Sequence, residues 1–402
     1  MKITDVRIEV VSVPRHTGFV CQHGIVFLET DEGVTGIGEM SDFSHLPKYA
    51  IDVRDLTATL RAQLVGKHPF ELVAINKEMA ELFPETMYYY EKGTFIRSGV
   101  DMALYDLVGK ALGVNVSALF GGRLRERIKV CYPIFRSRTL EEARGNVDVV
   151  RQRFAQGFDV FRVYAGVDPD ADEAFLDGVR SEFGQRVTIK SLDYSHLLDW
   201  KSALRVTRRL MPYGVQLVES PAFRNDFEGL RQFRTAVDLP VSEHVWSFRQ
   251  LYEMIRHDSV DIFNIALVFI GGFEAARKAA AAAEVAGKGI LIGTTQELSL
   301  GTAAQAIFGA CAPNLTAISD PTGPELYVDD IAVEPVKYEN GWLRVPDASK
   351  PGIGIELDRE KLARLKTDGF SWGGQKLAQL QDRTAESAES AESAESADSK
   401  IV

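Results

Sequence analysis

Alternating apolar and polar residues open the chain. "ITDVRIEVVSVP", "GIVFLETDEG" and "VTGIGEM" predict three strands across residues 3–40, with a turn at Asp31-Glu32-Gly33. The hydrophobic period then changes to that of a helix over 49–64, 69–84 and 94–113, so the N-terminal part is α+β. Beyond residue 125, short apolar runs alternate with amphipathic stretches. Strands are predicted at 128–134, 158–164, 187–193, 215–219, 239–244, 260–266, 289–294 and 315–319. Helices between them include "LEEARGNVDVVRQRFAQG", "WKSALRVTRRLMPYG" and "GFEAARKAAAAAEVAGKG". This order predicts an α/β fold, a modified TIM (β/α) barrel. A doubly wound open sheet is the weaker alternative, because no glycine-rich phosphate loop follows the first strand. "DDIAVEPVKYENGWLRVP" returns to antiparallel structure around an Asn340-Gly341 hairpin turn. It is expected to fold back on the N-terminal part, before "KPGIGIELDREKLARL" leads into a last helix. The expected organisation is an α+β capping domain over 1–124, a barrel over 125–322, a C-terminal segment over 323–376 returning to the cap, and an acidic tail over 377–402.

Composition changes this picture little. An apolar content of 45% and a charged content of 26% suit a soluble globular chain, and 402 residues suit two domains. The net charge of −11 argues against a nucleic-acid partner. Part of it sits in "TAESAESAESAESADSK", which has no large apolar side chain to bury and reads as disordered. Cys21, Cys131 and Cys311 are odd in number and widely spaced, as in a reducing compartment. There is no signal-peptide pattern and no apolar run of membrane-spanning length, so a cytoplasmic protein with no membrane partner is expected.

Spacing supplies the first chemistry. Asp193 in "IKSLDY", Glu219 in "QLVESP" and His244 in "PVSEHV" recur at steps of 26 and 25 residues, about one strand, one helix and two loops. On a parallel barrel, successive strand ends share one rim, so the three side chains are expected to converge. Carboxylates with one imidazole suit Mg²⁺, and the imidazole leaves Mn²⁺ open. Glu243 competes with His244 as third ligand, because neighbouring strand residues face opposite ways; the 25-residue step favours His244.

Architecture and residues together resemble the enolase superfamily, in its mandelate racemase and muconate-lactonising branch. The similarity runs from residue 3 to about 370 and rests on "SGVDMALYDLVGKALGVNVSALFGG" at 98–122, "VESP", "GGFEAARKAA" at 271–280 and "KPGIGIEL". Within the first motif, Asp101 and Asp106 read as packing or capping groups. The resemblance implies a capping domain over the barrel mouth, a Mg²⁺ ion on the ends of strands three to five, and a homo-oligomer. It also directs attention to strand two, where many relatives carry Lys-x-Lys and this chain has "FRVYAG". Arg162 and Tyr164 share a strand face, and the guanidinium is expected to lower the phenol's pKa and make it a base. The plainer alternative has Arg162 binding a carboxylate and Tyr164 packing. The position matching a second Lys is Ala266, and strand seven, "ILIGTTQE", has no His.

With a proton carrier on one face only, racemisation and Lys-dependent cycloisomerisation are disfavoured. The residues instead resemble a galactarate dehydratase type. This implies a lyase that converts an acid sugar to a 2-keto-3-deoxy acid, with Tyr90 or His45 from the cap assisting hydroxide departure. His45, Tyr90, His196, Thr295 and Arg162 are the expected substrate contacts. An isomerase or cycloisomerase of the same fold, or a non-catalytic barrel, are the rivals.

Overall fold

The computed structural model describes residues 1–43 and 51–370. Strands β1 (Ile3–Pro14), β2 (Val20–Thr30) and β3 (Thr35–Met40) form the predicted meander, and β14 (Lys366–Thr367) adds to its free edge in the order β14-β1-β2-β3. In β1 the buried Val6, Ile8 and Val10 alternate with Arg7 and Glu9, the pattern that makes a strand with one covered face. The helix Lys92–Leu112 lies across β3, with most of its residues buried. Glycines permit this approach: a Cβ on Gly38 would stand 2.0 Å from the Gly99 carbonyl oxygen.

The barrel strands are β5 (Tyr132–Ile134), β6 (Val160–Tyr164), β7 (Thr188–Asp193), β8 (Val215–Glu219), β9 (Val241–His244), β10 (Ile262–Ile265) and β11 (Gly289–Ile292), all parallel and in sequence order. Five crossover helices start on their own side-chain caps, at Thr139, Asp168, Asp199, Asp226 and Ser247. Two others have none. The helix Phe273–Val285 follows Gly272, and the helix Ser299–Cys311 follows Leu298. The cap supplies what they lack: Asp101 Oδ2 accepts from the Phe273 amide at 2.5 Å, and Glu39 accepts from the Leu298 and Gly301 amides at 2.9 and 2.7 Å. Asp106 accepts from the Ile37 and Ile353 amides at 2.9 and 2.8 Å, so both aspartates of the 98–122 motif act as anchors.

Three expectations are corrected. No eighth strand forms over 315–319. Leu315 bridges Ile290 and Ser319 bridges Val130, so the short span between Pro313 and Pro321 is shared between two neighbours and sustains a ladder with neither. The predicted strand 128–134 splits in two. Its first part, β4 (Arg127–Lys129), leaves the barrel and pairs antiparallel with the hairpin of β12 (Tyr338–Glu339) and β13 (Trp342–Arg344). That hairpin therefore joins the barrel's first segment rather than the cap, while the C-terminal segment meets the end of β1 where Tyr327 bridges Arg15 and pairs with β1 again at β14. The expected acidic tail over 377–402 lies outside the described residues. Among those described, no helix is long and apolar enough to cross a membrane, and all three cysteines are free.

Burial pushes the Asp101 carboxyl up to about 7, although Asn76 and the Phe273 amide hydrogen-bond to it. A carboxyl raised above its unfolded value of 3.8 adds stability that is complete at low pH and is lost as pH rises through about 7. The melting temperature is thus expected to fall between about pH 4 and 7, and Asp101→Asn should flatten that slope. An unchanged slope in thermal denaturation would count against it.

Candidate active site

At the C-terminal rim of the barrel, Tyr164, Asp193 and Glu219 end β6, β7 and β8 in one row of paired residues. The row steps at β9, where Glu219 pairs with Ser242 and His244 lies two residues further on, on the same face as Ser242. His244 Nε2 comes within 2.9 Å of Glu219 Oε1. Glu243 turns the other way: its carboxylate accepts from Ser220 Oγ at 2.8 Å and the His244 amide at 2.7 Å, and it meets His196 Nε2 at 3.1 Å. A cavity of about 260 Å³ opens over this rim. Tyr164, Arg162, Asp193, His244, Tyr90, His196 and Thr295 all line it.

The electrostatics are those of crowded negative charge in a buried space. Burial, and then the neighbouring Glu219, push Asp193 up to about 6, against the pull of Arg162 and His244. Burial opposes charge on His244, but the hydrogen bond and charge of Glu219 raise it above its ordinary value. Glu219 Oε2, His244 Nδ1 and Asn264 Oδ1 are buried without a hydrogen-bond partner, a state that ordinarily calls for a ligand or ion. Among the described residues, however, no three carboxylate, imidazole or thiol groups form a ready cage for a metal; His244 instead meets Glu219 at 2.9 Å. The oxygen and nitrogen donors that stand side by side on this rim are Asp193, Glu219 and His244.

Arg162 and Tyr164 do form a pair. Arg162 Nη2 donates to the Tyr164 hydroxyl at 2.7 Å, and its other side faces Asp320 at 3.4 Å and Glu219 at 3.7 Å. The Tyr164 ring stacks on Phe135 with centroids 5.7 Å apart. The expected lowering of the phenol's pKa does not occur: burial raises it, and outweighs Arg162, with Asp193 and Glu219 pushing the same way. Lys190 sits deeper, buried against Asp320 Oδ1 at 2.5 Å.

The remaining expected contacts divide. Tyr90 lies against Tyr89 with centroids 4.4 Å apart, and burial raises it to about 12. Thr295 Oγ1 meets Ser41 Oγ of the cap at 2.7 Å. His45 lies outside the described residues. Arg15 and Arg224 line the cavity but escaped the sequence reading. Arg224 follows Glu219 by five residues in a loop on the same rim, so the rule that selected strand ends would have found it if extended to the loops. Arg15 comes from the cap sheet and carries no local signal.

Residues 146–361 match the family described as "Enolase C-terminal domain-like", and residues 2–121 match "Mandelate racemase / muconate lactonizing enzyme, N-terminal domain". An N-succinyl-L-Arg/Lys racemase of Bacillus cereus is 26% identical over 380 residues, covering 91% of this chain and 98% of the relative. Muconate cycloisomerase 1 of Pseudomonas putida is 28% identical over 348 residues, covering 85% and 89%. An L-Ala-D/L-Glu epimerase of Bacillus subtilis is 27% identical over 370 residues, covering 88% and 97%. The structure of muconate lactonizing enzyme from Pseudomonas putida superposes with a TM-score of 0.81 at 25% identity, covering 91% of this chain and all of that one. These relatives are racemases, epimerases and cycloisomerases. They overturn the expectation of a lyase that dehydrates an acid sugar, and with it the roles given to Tyr90 and His45 in hydroxide departure. Neither the missing lysines nor the Arg162–Tyr164, Tyr90 and His45 resemblance determines the reaction, because strand-end chemistry on this fold does not do so by itself.

Proposed function

The chain belongs to the mandelate racemase and muconate lactonizing branch of the enolase superfamily, and on that premise we propose that it is an isomerase that moves a proton at the carbon next to a carboxylate of a small organic acid. The observation that carries this reading is the buried Arg162–Tyr164 pair beside Asp193 and Glu219. Asp193, Glu219 and His244 would hold a divalent ion, Mg²⁺ in the first instance; the buried unpartnered atoms Glu219 Oε2 and His244 Nδ1 support this donor set. When bound, the ion supplies positive charge that makes the C–H beside the substrate carboxylate acidic.

Tyr164 carries the proton at its hydroxyl oxygen. Arg162 holds that oxygen by a donated hydrogen bond and stabilises it when charged. Asp320 fixes Arg162 from below and is itself held by Lys190, Cys131 and Asn264. Phe135, stacked on the Tyr164 ring, keeps water from one side of it. Arg136 and Arg224 add positive charge to the cavity wall, where Arg15 is already paired with Asp42, and this favours an anionic substrate.

The test is a small panel, N-succinyl-L-arginine, L-Ala-L-Glu and cis,cis-muconate, incubated with Mg²⁺ in D₂O and followed by proton NMR. At least one should gain deuterium at the carbon next to a carboxylate. If none is exchanged or converted, the reading fails and the rival of a non-catalytic barrel takes its place.

A further inference from the structure

We propose that His196, oriented by Glu243, is a second catalytic proton carrier of this site, serving the substrate from the β9 side while Tyr164 serves it from the β6 side. The inference rests on the isomerase reading and selects, within it, inversion at a carbon centre. The positions matching a second carrier hold Ala266 and, on strand seven, no His. In the fold, Ala266 is buried in an apolar cluster with Tyr89, Phe95, Trp246 and Phe269, so that wall is inert. The titratable side chains stand elsewhere on the rim.

The backbone around His196 is bent in a way an ordinary loop does not require. Ser195 and His196 both take left-handed conformations, at φ 47° and 61°, which L residues adopt only under compensation. Asp193 supplies it, its Oδ1 accepting from the Ser195 amide at 2.8 Å and the Ser195 hydroxyl at 3.0 Å. The His196 amide reaches the Ser220 carbonyl at 3.3 Å. The result turns the imidazole back over the barrel mouth, where it lines the cavity.

Glu243 then fixes the ring. It is buried, two further donors hold it in place, and its Oε2 meets His196 Nε2 at 3.1 Å. Tyr89 and Trp246 pack edge-on against the imidazole, at 5.5 and 5.7 Å between centroids, and set its plane. With Nε2 engaged, Nδ1 is the nitrogen left to exchange a proton with a substrate. An imidazole aligned by a carboxylate is a general acid–base device. The sheet order β6-β7-β8-β9 places Tyr164 on one side of Asp193 and Glu219, and Glu243 on the other. In one direction Tyr164, as the phenolate held by Arg162, takes the proton while His196 starts as the imidazolium, and the C–H electron pair enters the enolate. That pair then forms the new C–H bond with the proton of His196 Nδ1, on the opposite face. In the reverse direction the two groups exchange roles, and no other reactant is needed. If the pair were merely structural, it would only pin the loop to β9.

His196→Asn and Glu243→Gln in the full chain separate these cases, with N-succinyl-L-arginine, L-Ala-L-Glu and cis,cis-muconate as probes, Mg²⁺ present and D₂O as solvent. His196→Asn should lose inversion by at least about 10²-fold and still exchange the α-proton of one antipode through Tyr164. Glu243→Gln should lower kcat about tenfold with KM nearly unchanged. A turnover-independent arm measures oxalate, a planar enolate mimic, by calorimetry; His196→Asn should bind it about tenfold more weakly. Retained inversion, loss of exchange from both antipodes alike, unaltered oxalate affinity, or wild-type activity confined to cis,cis-muconate would each overturn the proposal. If the wild type neither exchanges a proton nor binds oxalate, the isomerase reading itself falls. If the wild type inverts its substrate and the variants match it, only the dyad falls.

Discussion

Replacing Tyr164 with Phe is expected to lower turnover by about 10³-fold, within the range for loss of a positioned proton carrier. The substitution removes one oxygen and leaves the ring on Phe135 and under Arg136, so packing should survive. It does strand Arg162 Nη2, whose hydrogen bond to the phenol is 2.7 Å long, in a buried position. A lost partner of that kind costs about 1–3 kcal/mol of stability. A modest fall in melting temperature should therefore accompany a very large fall in rate. The two readouts also separate roles, since a Tyr that only packs would show the stability effect with activity intact. The charge environment adds a further expectation. Burial, Asp193 and Glu219 all raise the Tyr164 phenol above its ordinary value, so Asp193→Asn should make it easier to ionise while weakening the ion site.

Glu219→Gln is expected to abolish stabilisation by Mg²⁺. A ligand that binds only the folded chain adds about 2.7 kcal/mol at a hundred times its Kd. Glu219 is the central donor of the row, paired with Asp193 on one side and 2.9 Å from His244 on the other. Without its charge, the remaining carboxylate and imidazole should hold the ion poorly, and turnover should fall with ion affinity. Thermal melting with and without Mg²⁺ measures this directly. An undiminished Mg²⁺-induced rise in the variant would place the ion elsewhere.

Much of this site was legible one residue at a time. The 26- and 25-residue steps put Asp193, Glu219 and His244 at the ends of β7, β8 and β9, because each step spans one crossover unit. The i, i+2 rule put Arg162 and Tyr164 on one face, and they bond there. The reaction class was not legible. A missing lysine pair disfavours isomerisation without excluding it, because proton carriers on a barrel rim can arrive from any strand end or loop. His196 and Glu243 are 47 residues apart and meet only through the turn at Ser195.

Period, turn and cap signals act within a few residues of backbone, and so the meander, the parallel order β5 to β11 and five of the helix starts follow from local chemistry alone. Three features depended on groups brought together from distant parts of the chain. Asp101 and Glu39 cap barrel helices that carry no cap of their own. The hairpin at Asn340-Gly341 chose β4 over the cap sheet. Tyr164 is pushed up in pKa rather than down, because desolvation depends on everything packed around the phenol, and its adjacent guanidinium is only one contribution among several.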